Sequence, residues 1–189
     1  LVIFDVGSCE GEDSVRYQRL FPKARIFAFE PLSGNVQKMK QNFLTYQTPD
    51  VTIIQKGLSE HSGKATFFVS SGRPEHAADT KDWDYGNKSS SLLPPDKTKE
   101  VHEWLKFRDK ITISTTTIAE ISQAHKLKRI DFIHMDIQGA ELMALKGAGK
   151  TIASVRAIWL EVEAESLYAN QPLKAEIEQF FADHKFIKV

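Results

Sequence analysis

Leu1–Ser14 reads LVIFDVGSCEGEDS, and Ile26–Pro31 reads IFAFEP. Leu1 to Phe4 is a continuous apolar run ending in Asp5, Gly7 and Gly11 bracket a tight turn, and the polar residues Glu12 to Ser14 open a helix. A continuous apolar strand is one buried on both faces, as in parallel sheets covered by helices, and ligands of such sheets bind beyond the carboxyl ends of the strands. The loop from Asp5 to Gly11 is therefore expected to line a pocket. The expected fold class is α/β: a Rossmann-like, doubly wound, mostly parallel sheet flanked by helices, in a single domain.

Charge narrows the ligand. A dinucleotide loop receives a pyrophosphate at backbone N–H groups and a helix N-terminus, yet Asp5 and Glu10 both lie in this turn. Carboxylates there repel phosphate and suit a cationic ligand such as the ammonium and sulfonium of S-adenosylmethionine. The spacing is also G-x-x-x-G and not the dinucleotide G-x-G-x-x-G. Glu30 ends the second strand about where a doubly wound fold places an acid on a ribose diol. Each half alone is weak, since a glycine loop with a surface acid is also an ordinary turn. Together they point to a class I methyltransferase.

The resemblance then becomes specific. DVGSCEGEDS resembles the D-V-G-A-N-x-G first motif of the FkbM family of S-adenosylmethionine-dependent methyltransferases, and FAFEP resembles its second. KGLSEHSGKATFFVS, KSSSLLPP, TTTIAEI and DFIHMDIQGAELMALKGA are similar to its later blocks in the same order. The block Asp131 to Gly147 is the most diagnostic, similar to D-F-I-K-I-D-V-E-G-A-E-x-x-V-L-K-G. Ser8 and Cys9 replace Ala and Asn, His134 replaces Lys, and Gln138 replaces Glu. The resemblance implies S-adenosylmethionine as cofactor and O-methylation of a hydroxyl acceptor, of sugar or natural-product type, as the reaction. It also implies a final antiparallel strand that the chain lacks.

At 189 residues and 41% hydrophobic content, the chain can bury one sizeable core. Residues 1–189 are read as one methyltransferase domain, truncated at both ends, because Leu1 already lies inside a strand. A formal net charge of zero gives no footprint for wrapping nucleic acid. No apolar run approaches the length of a membrane span. Cys9 is the sole cysteine, so no internal disulfide forms and a reduced, cytoplasmic location is expected. Its small side chain suits a tight loop, and a reactive thiol is the alternative. The histidines show no zinc-ligand spacing, so no metal is assigned.

In chain order, a helix is expected over about Glu12 to Leu20, then a strand at Arg25 to Phe29. Ser33 is the expected N-cap of a helix burying Val36, Met39 and Phe43. Val51 to Gln55 is the third strand, and Lys64 to Ser70 an added strand packed on the core. Ser71 to Phe107 lacks clear periodicity, holds five glycines and prolines, and is expected to form a lid or substrate loop. A strand at Ile111 to Thr115, a helix at about Ile118 to His125 and a fourth core strand at Ile130 to Met135 follow. Gly139 allows a sharp turn into a helix closed by Gly147 and Gly149. Ala157 to Val162 is the fifth strand, Pro172 opens the last helix, and Phe186 to Val189 starts a sixth strand.

The candidate cofactor-binding residues are Asp5, Gly7, Ser8, Gly11, Glu30, Pro31, Gly57, Leu58, Ser59, Asp136 and Gln138, with Gly57 to Ser59 at the end of the third strand where this fold reads the adenine. Asp136 and Glu141 are the catalytic candidates, for an acid coming directly off a strand faces the pocket. Glu141 serves equally well as a cap on the helix that follows. His134 shares the parity of Asp136 and reads either as a buried structural histidine or as a catalytic one. Ser89 to Ser91 read as a closing loop or a polar linker. Two alternatives stand beside the methyltransferase: a NAD-dependent oxidoreductase, and a non-catalytic S-adenosylmethionine-binding protein, hinted at only by Gln138.

Overall fold

The computed structural model describes residues 1–75 and 85–189. In chain order these form β1 (Val2–Val6), α1 (Glu12–Leu20), β2 (Arg25–Phe29), α2 (Ser33–Thr45), β3 (Val51–Ile54), β4 (Gly57–Leu58), β5 (Gly63–Ser71), α3 (Thr98–Val101), β6 (Lys106–Thr116), α4 (Ile118–Ala124), β7 (Phe132–Met135), α5 (Glu141–Lys146), β8 (Ile158–Leu160) and α6 (Lys174–Asp183). They fall into two compact units. One comprises Leu1–Lys64, Ile113–Asp136 and Met143–Glu161; the other Ala65–Thr112, Ile137–Leu142 and Val162–Val189.

The first unit holds a five-stranded sheet in the order β3-β2-β1-β7-β8. Every neighbouring pair in it is parallel, so each crossover needs a helix. Period-two alternation sorts the side chains of β1 to the two faces. On one face Ile3 packs with Ala24 and Ile26, while Val15 of α1 and Met39 and Phe43 of α2 close over Ala28. On the other, the Phe4 ring lies 5.3 Å from Phe27 and 5.1 Å from Phe29. His125, which ends α4, meets Phe27 edge-on at 4.7 Å. The sheet is thus covered on both sides, which is why its central strands β1 and β7 are apolar on both faces except at Asp5 and His134.

A three-stranded sheet has the order β4-β6-β5. In the second unit, Phe68 and Ser91 exchange both backbone hydrogen bonds, at 2.9 and 3.1 Å. Gly72, at φ +111, lies so close to the Trp104 carbonyl that a Cβ would stand 2.2 Å from its oxygen. Only glycine fits there.

The structure corrects several expectations. Ser33 is the first helical residue and not the cap; Leu32 holds that position with no side-chain hydrogen bond. The strand expected at Ile111 begins at Lys106, its polar outer positions having hidden the period. Residues 71–107 are less irregular than they read, with a 3-10 turn at Asn87–Ser89, α3 and the start of β6; their stretch 76–84 lies outside the described residues. The added strand Gly63–Ser71 belongs to the second sheet. Pro172 precedes α6 by two residues, and the Leu173 N–H is capped by Glu176 at 3.0 Å. Phe186–Val189 forms no strand. Among the described residues, no helix is long and apolar enough to cross a membrane.

Candidate cofactor and active site

Register sets the site. Val6 of β1 pairs with Phe29 of β2 and with Met135 of β7. The residues that follow, Glu30, Gly7 and Asp136, therefore emerge side by side from three adjacent strands at the carboxyl edge of the first unit's sheet. Neighbouring strands stand about 4.8 Å apart. Asp136 is anchored by its own N–H, which donates to the Val6 carbonyl at 3.0 Å.

The loop after β1 turns through three left-handed residues, two of them glycines. Gly7 and Gly11 both take φ +84, and Cys9 takes +47. The N–H groups of Gly7 and Ser8 converge on the Phe29 carbonyl at 3.1 and 3.0 Å, lashing the loop to β2. The Ser8 hydroxyl donates to the Asp5 carbonyl at 2.5 Å. A Cβ on Gly11 would stand 2.7 Å from the Phe43 ring and 2.8 Å from Met39, so this glycine also lets α1 approach α2. Asn42 donates to the Glu10 carbonyl at 2.8 Å, and Lys38 pairs with the Glu10 carboxylate at 2.6 Å.

Asp5 is buried, and its carboxylate has partners within the chain. Ser14 donates to Oδ2 at 2.5 Å, and Nδ1 of His134 stands 3.6 Å from Oδ1. The basic group beside this acid is thus His134, on the neighbouring strand, which periodicity had already placed inside β7. Glu30 is also buried, and its Oε1 accepts the Leu32 N–H at 2.7 Å, fixing how the carboxylate is turned. Pro31 lies between the two and carries no N–H to compete.

Gly57, Leu58 and Ser59 are buried. Gly57 and Leu58 pair with Thr115 and Thr116 of β6, and the Ser59 N–H donates to the Thr116 carbonyl at 3.0 Å. Their backbone is committed to the second sheet. Next to them, the carboxylate of Glu120 accepts from Ser62 and Thr116, and these hydrogen bonds hold its pKa below the ordinary value.

In the second unit, Gln138 takes φ +56 and Gly139 +93, making the sharp turn that opens α5. Glu141 reaches back so that Oε1 accepts the Ile137 N–H at 3.0 Å, the capping role that the sequence left open. The Gln138 carbonyl accepts from the Ser91 hydroxyl at 2.8 Å. The Tyr168 hydroxyl lies 2.7 Å from the Ser89 carbonyl and 3.2 Å from the Gln138 side-chain amide. Both Ser89 O and Gln138 Oε1 accept from the one phenolic proton, the shorter bond being that to Ser89. Ser89 to Ser91 are thus knit to Gln138 and Tyr168. Tyr168 and Ser14 escaped the sequence reading for different reasons. Ser14 carried a signal, being the polar residue of the first turn that shares the buried face of α1 with Val15 and Gln18; Tyr168 carried none, 30 residues from its partner in an irregular stretch.

Comparison with known proteins gives these features a family. The Methyltransferase FkbM domain matches residues 5–188, and with that match the nicotinamide alternative falls. The chain is 30% identical over 178 residues to the 2-O-methyltransferase NoeI of Sinorhizobium fredii, covering 94% of this chain and 70% of that protein. It is 24% identical to the hexuronic acid methyltransferase AglP of Haloferax volcanii, over 98% of this chain and 69% of that one. A precorrin-6y C5,15-methyltransferase structure from Geobacter metallireducens shares the fold, with TM-score 0.50 at 15% identity over 99% of this chain and 64% of its own. The chain belongs to the FkbM family of methyltransferases, and S-adenosylmethionine is its cofactor.

Proposed function

We propose that the chain methylates a hydroxyl oxygen on a small-molecule or glycan acceptor, of sugar or natural-product type. The observation that carries this reading is the row Glu30, Gly7, Asp136 along the carboxyl edge of β2, β1 and β7. The residues present fit the cofactor: a buried carboxylate turned by the Leu32 N–H suits a ribose diol, and a glycine loop with no bulk at Gly7 admits a ligand close to the backbone. When bound, S-adenosylmethionine supplies an electrophilic methyl group.

The chain supplies the rest. Glu30 accepts the ribose hydroxyls, the loop from Gly7 to Gly11 borders the methionine end, and Gly57 to Ser59 border the adenine. Asp136, directly off β7, orients the acceptor hydroxyl and takes its proton as the oxygen is methylated. Glu141 holds the turn after Asp136 through Ile137 and is the second catalytic candidate. Residues 71–107 are assigned to acceptor choice. The two named relatives support an oxygen acceptor, one being a 2-O-methyltransferase and the other acting on hexuronic acid. A cytoplasmic location belongs to the same proposal and rests on the single cysteine.

The test is formation of S-adenosylhomocysteine with a panel of neutral sugars, hexuronates, glycan oligosaccharides and phenols. Turnover with a hydroxyl compound and a methyl ether in the product supports the proposal. Methylation confined to amines overturns the oxygen acceptor, and tight cofactor binding without turnover on any acceptor favours the non-catalytic alternative.

A further inference from the structure

We propose that the imidazolium of His134 is the tie holding the start of α1 to the end of β1, so that it positions the cofactor loop strung between them and makes cofactor affinity depend on pH. His134 sits on β7 in register with Asp5 of β1, on the sheet face that α1 covers. Its Nδ1 stands 3.6 Å from Asp5 Oδ1 and 3.9 Å from Asp13 Oδ2. Asp5 is the last residue of β1 on that face before the loop, and Asp13 lies in the first turn after it. One imidazole therefore faces a carboxylate at each end of the loop.

Nδ1 is buried with only carboxylate oxygens before it, so it keeps its hydrogen in both charge states and the titrating nitrogen is Nε2. The surroundings are acidic on several elements: Asp5 on β1, Asp13 on α1 and Asp136 on β7 itself. Tyr17 of α1 meets the ring edge-on at 5.9 Å, and Trp159 of β8 packs at 4.6 Å. Among the described residues, the cation nearest this group is Arg16, which takes the other oxygen of Asp13 at 2.8 Å from an exposed position. Burial opposes a charge on His134, but the Asp5 contact and then the fields of Asp5, Asp13 and Asp136 outweigh it and raise its pKa.

When His134 loses its charge, Asp5 and Asp13 are left as like charges across the loop with only a neutral imidazole between them, and their less compensated repulsion loosens its frame. The FkbM pattern has Lys where this chain has His134. A lysine is charged at any working pH, so the exchange introduces a titration where a permanent cation would hold the frame fixed.

The experiment measures S-adenosylhomocysteine affinity by calorimetry at about pH 6 and about pH 8.5, for the wild type, His134→Lys and His134→Gln. Wild-type Kd is expected to rise about three- to tenfold over that interval, the scale of one partly exposed ion pair. His134→Lys should bind at both pH values as the wild type does at the lower, and His134→Gln weakly at both. Titration of the ligand's own amine is common to all three and cancels. A flat wild type, or a His134→Lys protein that keeps the wild-type pH dependence, overturns the proposal. Independently of any variant's folding, linkage requires the ligand to raise the His134 pKa seen by proton NMR in the wild type; no shift, or a downward one, also overturns it. The inference rests on the cofactor assignment, and ligand-free Tm separates the two. Absence of binding at every pH defeats that assignment, whereas a wild-type Tm that does not fall between the two pH values defeats the tie.

Discussion

The hydroxyl of Ser14 donates to the carboxylate of Asp5 at 2.5 Å, joining the first turn of α1 to the end of β1 inside the sheet's covered face. Neither group reaches water, so the hydroxyl and Oδ2 depend on each other for this bond, while Oδ1 faces His134. Ser14→Ala removes a donor from a buried carboxylate, a loss of about 1.5 to 3 kcal/mol. At about 2 to 4 °C per kcal/mol for a chain of this size, Tm should fall by several degrees. Differential scanning calorimetry checks it, and an unchanged Tm would mean that the bond contributes nothing net.

Glu30 is best tested with two variants. Its carboxylate serves Leu32 through one oxygen, and glutamine can keep that acceptor while removing the charge. Charge-assisted hydrogen bonds to two ribose hydroxyls amount to about 1.5 to 3 kcal/mol. Glu30→Gln is therefore expected to weaken S-adenosylmethionine roughly ten- to a hundredfold at nearly unchanged Tm, whereas Glu30→Ala loses both affinity and some stability. Equal affinity in the glutamine variant and the wild type would make Glu30 a turn residue only.

The first half of the chain was legible because each element announced itself within a few residues. The apolar run of β1, the bounds of α1 at Glu12 and Leu20, and the run from Arg25 to Phe29 all follow from local patterns. The adjacency of β7 to β1 is a property of strand order that no local pattern carries; it shows in the register. What stayed hidden was where side chains point once strands pair. That His134 faces Asp5 and Asp13, or that Tyr168 faces Ser89, depends on contacts between residues 79 to 129 apart. The start of β6 was obscured for another reason: Lys106 to Thr112 is mostly exposed, so no buried face imposes a period on it.

Tyr168→Phe tests the second unit. The Ser89 carbonyl would lose its donor in a half-buried setting, and the Gln138 amide its neighbour. A loss of about 1 to 3 kcal/mol is expected, read as a shift of the urea midpoint at unchanged slope. No shift would show that water replaces the phenol without cost.

Asp131 governs part of the acid limb. Burial works against its charge, but the Val2 N–H at 2.9 Å and Arg129 at 2.7 Å outweigh it and hold its pKa below the ordinary value. A lowered folded pKa means that the contribution is complete above the unfolded value, about 4, and is lost as pH falls through the lower folded one. Asp131→Asn should therefore lower Tm at neutral pH and flatten its decline below about pH 4. A variant whose acid decline parallels that of the wild type would exclude Asp131 as a source.

Asp136 carries the chemistry in the proposed function, and its position explains why. It leaves β7 immediately after Met135 is paired with Val6, so its backbone is held by the central strands and requires no loop movement to face the carboxyl edge. Gln138, where the family pattern has Glu, can donate and accept hydrogen bonds but takes no proton at working pH. Glu141 holds the turn by accepting the Ile137 N–H, and Asp136 comes directly off the strand. Asp136→Asn is expected to keep S-adenosylmethionine affinity and lower the methyl-transfer rate about 10² to 10⁴-fold. Part of that loss should return at high pH, where the acceptor hydroxyl ionises unaided. Single-turnover kinetics with saturating cofactor separates the possibilities. Full activity in Asp136→Asn with none in Glu141→Gln would transfer the role to Glu141. Loss of cofactor binding in Asp136→Asn would make the residue a binding group and leave acceleration to proximity and orientation of the acceptor.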